Sequence, residues 1–394
     1  MVILTPDFAH HDWSPLDAAA LLDGAVELRW PDGLEYICHP LWLYEQTVGL
    51  EPLTREGSVE PGQLPAPSWL VSVEITTDGA LELTWQDGTT VRAHPGWLRS
   101  IAEGRHLPRA AIGEPVEWTT ATMSTLPTFD GSAVLDDDAV FEAWLSSLCT
   151  FGVGRLRGAP RADEFLGELA GRIGPIRGSN FGDVFTVQSV VEPDSTANTG
   201  MALGQHTDLP TRETPPGFQF LHCVENSVAG GLSRMADGMA VVAEILRHHP
   251  DAYDSLTNDE WVFANRAIDG DHRWVGPIID LGAPRSPLTL RAFYPVRLAP
   301  HMPFEHQHRA YDAMRVFSQV AHDPRFMITS AFEPGDLVGF DNRRILHGRD
   351  AFDPGAGRRR LRGCYVDHDD LYSRLRVLRR PTIARLASSE RQSS

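Results

Sequence analysis

Two histidines and one aspartate stand in a pattern that can hold a metal ion. His206 and Asp208 are separated by one residue, and His347 lies far along the chain. In an extended segment alternate side chains point the same way, so His206 and Asp208 can reach one ion while Thr207 faces away. Two imidazoles and one carboxylate on one face of an octahedron hold Fe(II) and leave three positions for a keto-acid cosubstrate and O2. The three residues therefore predict the site of an iron-dependent oxygenase.

A row of arginines follows His347 and can bind the far end of such a cosubstrate. 2-Oxoglutarate chelates iron through its keto-acid end, and its second carboxylate pairs with a cation, which the fork of an arginine fits bidentately. An arginine roughly a dozen residues after the second histidine is placed to serve as that cation. The sequence offers four candidates for this role: Arg358, Arg359, Arg360 and Arg362.

The composition narrows the class of protein. The chain has 394 residues, of which 42% are hydrophobic, and a formal net charge of -18. Such a charge argues against nucleic acid as a partner, because phosphate binding requires a concentrated positive surface. No stretch approaches the roughly 20 apolar residues of a membrane span, and the first residues lack the basic region of a secretory signal. We therefore expect a cytoplasmic globular protein that acts on a small molecule.

An internal repeat organises the N-terminal region. Residues 28–33 and 39–43 recur as residues 83–88 and 94–98, with the shared elements Trp-x-Asp-Gly and His-Pro-x-Trp-Leu. Each copy predicts a strand, an Asp-Gly hairpin turn, a second strand and a short helical turn capped by His-Pro. We expect a small β-rich domain over residues 1–105 whose tryptophans and leucines form its core.

The remainder of the chain combines strands with helices. The stretch 106–128 contains three prolines and no sustained periodicity, which predicts a linker before a catalytic domain at 129–394. Apolar runs predict strands at 185–191, 217–224 and 336–340, and helical periodicity predicts helices at 237–248 and 303–321. Many strands with interspersed helices, and metal ligands on non-adjacent strands, predict a mainly β fold of the double-stranded β-helix, or jelly-roll, type.

Five motifs follow one another in the catalytic part. They are His-Thr-Asp-Leu-Pro from residue 206, Pro-Pro-Gly-Phe-Gln-Phe-Leu-His-Cys from 215, Gly-Gly-Leu-Ser from 230, Asp-Asn-Arg-Arg-Ile-Leu-His-Gly-Arg from 341 and Arg-Arg-Leu-Arg-Gly-Cys-Tyr from 359. Together with the N-terminal repeat, this combination resembles the γ-butyrobetaine hydroxylase and trimethyllysine hydroxylase branch of the taurine dioxygenase-like Fe(II)/2-oxoglutarate oxygenases. The resemblance covers nearly the whole chain and implies a jelly-roll catalytic domain preceded by a small β domain.

The resemblance implies roles for particular side chains. His206, Asp208 and His347 are the expected iron ligands. Arg359 is the expected partner of the distal carboxylate of 2-oxoglutarate, and the hydroxyl of Ser233 the group that assists it. The resemblance also implies Fe(II), 2-oxoglutarate and O2 as cofactor and cosubstrates, and a homodimer as the assembly.

The substrate positions agree with the family only in part. Related enzymes bind a trimethylammonium group in an aromatic cage, where cation–π attraction is worth ~0.5 to 2 kcal/mol per ring. Phe181, Phe185 and Tyr365 fall at three cage-like positions, whereas Asn198 stands where a tyrosine is expected. The asparagines that bind the butyrobetaine carboxylate in the family are missing, and the corresponding stretch offers Arg291 or Arg297 as an anion contact.

A second departure concerns zinc. The family's N-terminal domain often carries a zinc ion held by three closely spaced cysteines and a histidine, and those cysteines do not follow Trp42 and Leu43 here. We therefore expect no zinc in this domain. The four cysteines of the chain are scattered without CxxC spacing and are expected to be buried reduced thiols.

The sequence thus predicts an Fe(II)/2-oxoglutarate-dependent dioxygenase that hydroxylates a C–H bond of a small γ-butyrobetaine-like substrate, either a trimethylammonium compound or an amino-acid-like one. One alternative keeps the fold and changes the substrate: an oxygenase of specialised metabolism that hydroxylates, desaturates or cyclises an amino-acid-like or phosphonate molecule. Another is a jelly-roll binding protein without activity. A third places zinc or manganese in the same ligands.

Overall fold

The structure is a computed structural model that describes residues 3–66, 69–188, 198–265, 270–282 and 288–380. The chain divides into two compact units. The first comprises the described residues up to Ala111 together with Arg379 and Arg380, and the second runs from Ile112 to Leu378. No helix among these described residues is both long enough and apolar enough to cross a membrane.

The first unit contains one arrangement twice, a three-stranded antiparallel sheet followed by a short helix. Its elements are β1 (Ala18–Leu22), β2 (Ala25–Arg29), β3 (Glu35–Cys38), α1 (Pro40–Glu45), β4 (Leu70–Ile75), β5 (Leu81–Trp85), β6 (Thr90–Ala93) and α2 (Pro95–Ala102). Gly33 and Gly88 close the Asp-Gly turns with φ of 87° and 84°, which glycine adopts without a steric penalty. His39 and His94 cap the two helices by accepting backbone N–H bonds. The predicted hairpins and His-Pro caps are confirmed, with one further strand before each hairpin.

The aromatic residues of the two repeats form the core of this unit. Trp30 and Trp85 are at most 1% exposed, and the rings of Trp42 and Trp97 stack with centroids 5.4 Å apart. Leucines from both sheets, such as Leu28, complete the cluster. The expectation that the repeated tryptophans and leucines are core residues is confirmed.

The second unit contains fourteen of the described strands and six of the described helices. They are β7 (Thr128–Asp130), α3 (Asp138–Phe151), β8 (Val153–Arg157), α4 (Phe165–Ile173), β9 (Val184–Gln188), β10 (Leu203–His206), β11 (Phe218–Asn226), β12 (Ser233–Asp237), α5 (Gly238–His248), α6 (Pro250–Asn258), β13 (Trp261–Ala264), β14 (Arg273–Gly276), β15 (Ile279–Asp280), β16 (Thr289–Leu290), α7 (Phe304–Ala321), β17 (Met327–Ser330), β18 (Leu337–Asp341), β19 (Ile345–Arg349), β20 (Arg359–Val366) and α8 (His368–Arg379). The helices predicted at 237–248 and 303–321 and the strands predicted at 217–224 and 336–340 are confirmed. Of the strand predicted at 185–191, residues 189–191 lie outside the described part.

Two sheets of this unit face each other across a shared core. The larger has the strand order β7-β8-β18-β11-β20-β9, and the smaller has the order β10-β19-β12-β17. Cys223 and Phe340 of the larger sheet pack with Met235 and Ile345 of the smaller one. Leu361 of β20 also packs in this core. Because side chains alternate along a strand, the other odd-numbered residues of β20 face the same interior.

Helices cover the outer faces of both sheets. On the larger sheet, α3, α4 and α8 bury Trp144, Leu169 and Leu371 against Phe218 and Phe220. On the smaller sheet, α5 and α7 bury their apolar faces in a second cluster, which includes Val241, Phe317 and Leu346. The outer faces of both sheets are thereby buried, and the core between the sheets is a separate cluster.

The segment predicted as a linker, residues 106–128, is divided between the two units. The boundary falls after Ala111, and the later residues belong to the second unit. Trp118 is 2% exposed and Leu126 is 5% exposed, and both pack in the core between the sheets. The backbone N–H of Trp118 also donates to the carboxylate of Asp237 at 2.9 Å. Prolines and the lack of periodicity indicated an irregular backbone, but an irregular segment can still be buried.

Candidate active site

The three predicted metal ligands meet between the sheets. His206 ends β10 and pairs in register with His347 of β19, so their side chains lie on the same face. Asp208 follows two residues later, with its Oδ1 atom 3.4 Å from Nε2 of His206 and 3.6 Å from Nε2 of His347. Cis ligands that are each about 2 Å from a metal lie about 3 Å apart, so these spacings suit one shared ion. Among the residues that the structure describes, this is the one group with such a ligand arrangement.

Hydrogen bonding and burial leave the ligand atoms in the form that a metal requires. Nδ1 of His206 lies 2.9 Å from the carbonyl oxygen of Gly204, which fixes the proton on that nitrogen and leaves Nε2 with a lone pair. Burial lowers the pKa of His347 to about 3, so its ring is neutral. Burial opposes ionisation of Asp208, but its interactions with the side chains of His206, His347 and Tyr365 hold its pKa below the usual range. The site therefore presents two imidazole nitrogens and one carboxylate.

The backbone around Asp208 is fixed by a buried asparagine. Oδ1 of Asn342 accepts the backbone N–H of Asp208 at 2.7 Å, and Nδ2 of Asn342 donates to the carbonyl oxygen of Asp208 at 3.0 Å. The next residue, Leu209, has a φ of 52°, a conformation that a leucine rarely adopts without support. Thr207 points away from the site, as predicted, and its hydroxyl donates to the carbonyl oxygen of Leu290 at 2.9 Å.

Tyr365 contacts the metal ligand set directly. Its hydroxyl donates to Oδ2 of Asp208 at 2.7 Å, leaving Oδ1 to face the two imidazoles. Burial and the adjacent carboxylate raise the pKa of Tyr365 well above 10, so the hydroxyl remains a donor. The sequence placed Tyr365 among substrate contacts, and the structure adds this contact with Asp208. The sequence contained no pattern that predicts it, because 157 residues separate the two partners.

Of the four candidate arginines, Arg359 alone is buried and forms no side-chain hydrogen bond or ion pair with the described residues. Arg358 is exposed, Arg360 forms an ion pair with Asp163 at 2.8 Å, and Arg362 donates to Thr186 at 3.3 Å. Arg359 is 7% exposed, and its Nε atom has no hydrogen-bond partner among the described residues. The alternation of β20 explains the difference, since 359 and 361 point inward while 360 and 362 point outward.

A second buried arginine, which the sequence analysis missed, lies beside Arg359. The guanidinium carbons of Arg349 and Arg359 lie 4.9 and 5.5 Å from the centroid of the same ring, Phe352. Burial and the charge of Arg359 lower the pKa of Arg349 to about 10. Arg349 is paired across the sheet with Ser233, which is 7% exposed. Two positive side chains in a nearly dry space favour an anion there, such as a carboxylate.

The predicted aromatic positions form a row that ends at the metal ligands. The ring centroids of Phe181 and Phe185 are 5.8 Å apart, and those of Phe185 and Tyr365 are 5.3 Å apart. Phe181 is 43% exposed, whereas Tyr365 is 1% exposed, so the row leads from the surface to the interior. Asn198 is half-buried, and its Oδ1 accepts the backbone N–H of Gln188 at 3.4 Å.

Arg291 has a different role from the one expected. It is 2% exposed, its guanidinium lies 4.7 Å from the ring centroid of Trp274, and its Nη atoms donate to three backbone carbonyls. The acceptors are Pro210, Arg212 and Glu213, at 2.9, 2.6 and 2.8 Å. Its two Nη atoms thus hold the loop after Asp208, and its Nε atom alone is without a hydrogen-bond partner among the described residues. This arrangement argues against the expected role of Arg291 as an anion contact.

Two further residues of the site were not predicted. Phe293 packs on His206 with ring centroids 5.0 Å apart. Gln219 is 3% exposed, pairs across the sheet with both Phe340 and Tyr365, and its Oε1 atom has no partner among the described residues. Gln219 lies in the motif that begins at Pro215, which was visible in the sequence. That its side chain points inward follows only from the alternation of side chains along β11.

The site defines a class of protein, an oxygenase with a non-haem metal ion, and comparison with known proteins identifies the family. Residues 114–365 match the model of the taurine catabolism dioxygenase TauD, TfdA family. A γ-butyrobetaine dioxygenase of Pseudomonas sp. (strain AK-1) is 38% identical, over 93% of this chain and 97% of that protein. The human γ-butyrobetaine dioxygenase is 27% identical over 92% of this chain and 97% of its own length. The mitochondrial trimethyllysine dioxygenase of Mus musculus is 27% identical over 76% of this chain and 72% of its own length.

The chain therefore belongs to the TauD/TfdA dioxygenase family. It is an Fe(II)- and 2-oxoglutarate-dependent dioxygenase, and its own donor set fits both groups. Two histidines and one carboxylate suit ferrous iron, and the buried Arg359 suits a carboxylate. The predicted enzyme class and cofactors are confirmed.

Proposed function

We propose that this protein hydroxylates a C–H bond of a small trimethylammonium carboxylate of the γ-butyrobetaine type. The single observation that carries the proposal is the row of Phe181, Phe185 and Tyr365, which leads to the carboxylate of Asp208. A quaternary ammonium group donates no hydrogen bond, so aromatic faces are the surfaces that recognise it best. The 38% identity to a γ-butyrobetaine dioxygenase over nearly the whole chain supports the same substrate class.

The chain's own residues supply the binding and the orientation. His206, Asp208 and His347 would hold the iron, and Tyr365 and Asn342 hold Asp208 in place. When bound, iron with 2-oxoglutarate and O2 supplies the oxidation that yields hydroxylated substrate, succinate and CO2. The protein contributes ligand geometry, charge and a dry pocket, whereas the redox chemistry belongs to the metal.

Arg359 and Ser233 are the proposed ligands of the distal carboxylate of 2-oxoglutarate. The unpaired buried guanidinium of Arg359 supports this assignment, because a buried cation without a counter-charge is costly unless a ligand supplies one. Arg349 adds positive charge on the same ring, Phe352, and donates to the carbonyl oxygens of Thr199 and Met201. It therefore ties the loop at 199–201 to the cosubstrate end of the pocket.

The substrate cation is proposed to lie against Phe185, with Phe181 on the outer side and Tyr365 on the inner side. The rest of the substrate would then extend toward Asp208, with the trimethylammonium group toward the surface. Asn198 is a member of this wall in place of a tyrosine, which reduces the number of rings and loosens the selection for the quaternary group. Arg291 is left out, since its two Nη atoms are bonded to backbone carbonyls of the loop at 210–213.

The same observation at Asn198 favours a second candidate within the fold. An amide in place of one ring suits a less alkylated amine or an amino-acid-like substrate, which can donate hydrogen bonds. Such a substrate would be hydroxylated, desaturated or cyclised in a specialised pathway. The relative catalytic efficiency for quaternary and primary amines decides between the two candidates.

The experiment measures succinate and hydroxylated product with Fe(II), 2-oxoglutarate and O2, for γ-butyrobetaine and for 5,5-dimethylhexanoate. The second compound has the same shape and carboxylate but a carbon in place of the charged nitrogen. We expect product from γ-butyrobetaine and a kcat/KM at least tenfold lower for the neutral compound, corresponding to about 1.4 kcal/mol. Equal efficiencies, or product only from amines that carry N–H groups, would contradict the trimethylammonium proposal.

The proposal also covers the catalytic fold, the cellular location and the oligomeric state. The two facing sheets support a double-stranded β-helix as the catalytic fold, after the small β-rich unit. Four buried free cysteines support a reducing, cytoplasmic location. A homodimer is proposed from the family resemblance and is tested by light scattering of the purified protein. No partner other than a small molecule is proposed.

A further inference from the structure

We propose that Gly363 determines substrate specificity by allowing the ring of Phe185 to lie directly over strand β20. This inference rests on the proposed function, because it concerns the wall that recognises the trimethylammonium group. Gly363 pairs in register with Phe185 of β9, so the space of its missing side chain and the Phe185 ring lie on the same face of the sheet. Leu361 and Tyr365 flank Gly363 on that inward face.

The ring fills the space that a side chain at position 363 needs. A Cβ atom there would lie 2.4 Å from Cε2, 2.6 Å from Cζ and 3.1 Å from Cδ2 of Phe185, and these three are its nearest atoms. Non-bonded carbons pack best at about 3.5–4.0 Å, so the ring must recede from the strand by about 1 Å to admit even a methyl group. Because Gly363 has no positive φ, the ring is the obstacle to an alanine and the backbone is not.

A shift of this ring changes the wall on both sides. Phe185 lies between Phe181 and Tyr365, with centroid distances of 5.8 and 5.3 Å. Tyr365 is held by its hydrogen bond to Asp208, so it cannot follow a neighbour outward without losing that bond. The half-buried Phe185 and the exposed Phe181 are therefore the rings that move. The pocket narrows where the cation binds, while the iron ligands stay in place.

The cosubstrate end of the pocket is separate from this contact. Arg359 lies four residues before Gly363 on the same strand. Both residues are on the inward face, and Leu361 lies between them on that face. A change at Gly363 is thus expected to alter substrate affinity without altering the affinity for 2-oxoglutarate. This split distinguishes a specificity residue from one that simply stabilises the sheet.

The test compares Gly363→Ala, Phe185→Ala and the double variant with the unaltered enzyme, using γ-butyrobetaine. Gly167→Ala is the matched control, because Gly167 lies in α4 with no atom within 4 Å of the added methyl. We expect Gly363→Ala to raise the KM for γ-butyrobetaine roughly 2- to 30-fold, because one cation–π contact is lost. The KM for 2-oxoglutarate should stay within twofold. Gly167→Ala is expected to change neither constant.

The double variant decides whether Gly363 acts through Phe185. Removing the ring removes the three atoms nearest to the added methyl, so the double variant is expected to match Phe185→Ala in its KM for γ-butyrobetaine. Independent effects, in which the two increases multiply, would overturn the inference, and so would an unchanged KM in Gly363→Ala. If Gly363→Ala fails to fold, the double variant is expected to recover folding, and its failure to do so overturns the inference.

Failure of the proposed function has a different signature. If the unaltered enzyme neither hydroxylates γ-butyrobetaine nor binds it in anaerobic calorimetry with Fe(II) and 2-oxoglutarate, both the proposed function and this inference are wrong. If the unaltered enzyme turns over γ-butyrobetaine and Gly363→Ala behaves identically, the inference alone is wrong.

Discussion

The hydroxyl of Tyr365 donates a 2.7 Å hydrogen bond to Oδ2 of Asp208, the carboxylate that faces His206 and His347. One carboxylate oxygen is thereby occupied by a neutral donor, and the other remains for the metal. The bond also connects the aromatic wall to the ligand set, since the Tyr365 ring packs on Phe185. Substrate recognition and ligand orientation therefore share one side chain.

Removing that hydroxyl is expected to weaken the metal site while keeping the ring. In Tyr365→Phe, Asp208 loses the hydrogen-bond donor that orients it. Removing a residue that orients a metal ligand typically lowers metal affinity by roughly 10- to 100-fold. We expect the dissociation constant for Fe(II), measured anaerobically by competition with a chelator, to rise by at least roughly tenfold. Tyr253→Phe, in a helix away from the site, serves as the control. Unchanged iron affinity in Tyr365→Phe would show that the hydrogen bond does not orient Asp208.

Neighbouring arginines on opposite faces of β20 are expected to differ in their effect on cosubstrate affinity. A charge-assisted hydrogen bond in a buried site is worth roughly 1.5–3 kcal/mol, so Arg359→Ala should raise the KM for 2-oxoglutarate by roughly 10- to 150-fold. Arg360→Ala removes only the ion pair with Asp163, whose two side chains are partly solvent-exposed, and should leave that KM within twofold. Similar effects of the two substitutions, measured by succinate release, would move the role of Arg359 to another residue.

A buried histidine outside the active site is expected to make stability depend on pH. His222 is fully buried, neither ring nitrogen has a partner among the described residues, and burial with two nearby arginines lowers its pKa to about 4. The unfolded chain binds the proton more readily, so stability is intact above pH 6.5 and declines as the pH falls from about 6.5 to about 4. The decline is at most about 3 kcal/mol, a limit that already includes the charge of Asp163, which favours protonation.

The variant His222→Leu replaces the titrating imidazole with an apolar side chain of similar size, which still packs beside Phe165. Urea unfolding at several pH values should show a shallower loss of stability between pH 6.5 and 4 for this variant than for the unaltered protein. Parallel curves for the two proteins would assign the acid sensitivity to other groups.

The metal ligands were predictable from the sequence, and their supporting residues were not. His206 and Asp208 form a local pattern, and His347 lies within a motif that resembles those of a known family. The hydrogen bonds of Asn342 to Asp208 span 134 residues, and that of Tyr365 spans 157. Contacts between such distant residues depend on how the strands pair, which periodicity does not encode.

Two arginines show where sequence reasoning was incomplete. Arg359 was one of four candidates, and the alternation of β20 separates it from its neighbours only once the strand and its inward face are known. Arg291 was predicted to contact an anion because it lies where relatives bind a carboxylate. Its guanidinium instead reaches carbonyl groups about 80 positions earlier in the chain. An arginine inside a protein satisfies its donors wherever acceptors are available, and backbone carbonyls serve as well as a ligand.

The most direct measurement of the central claim is the stoichiometry of Fe(II) binding in the unaltered protein, in Asp208→Ala and in His347→Ala. The account predicts one ferrous ion per chain in the unaltered protein under anaerobic conditions, with succinate formation on addition of 2-oxoglutarate and O2. Each variant should remain folded by circular dichroism, bind no iron at the same concentration and form no succinate. Either variant retaining both stoichiometric iron and succinate formation would contradict the assignment of these three side chains to one catalytic ion.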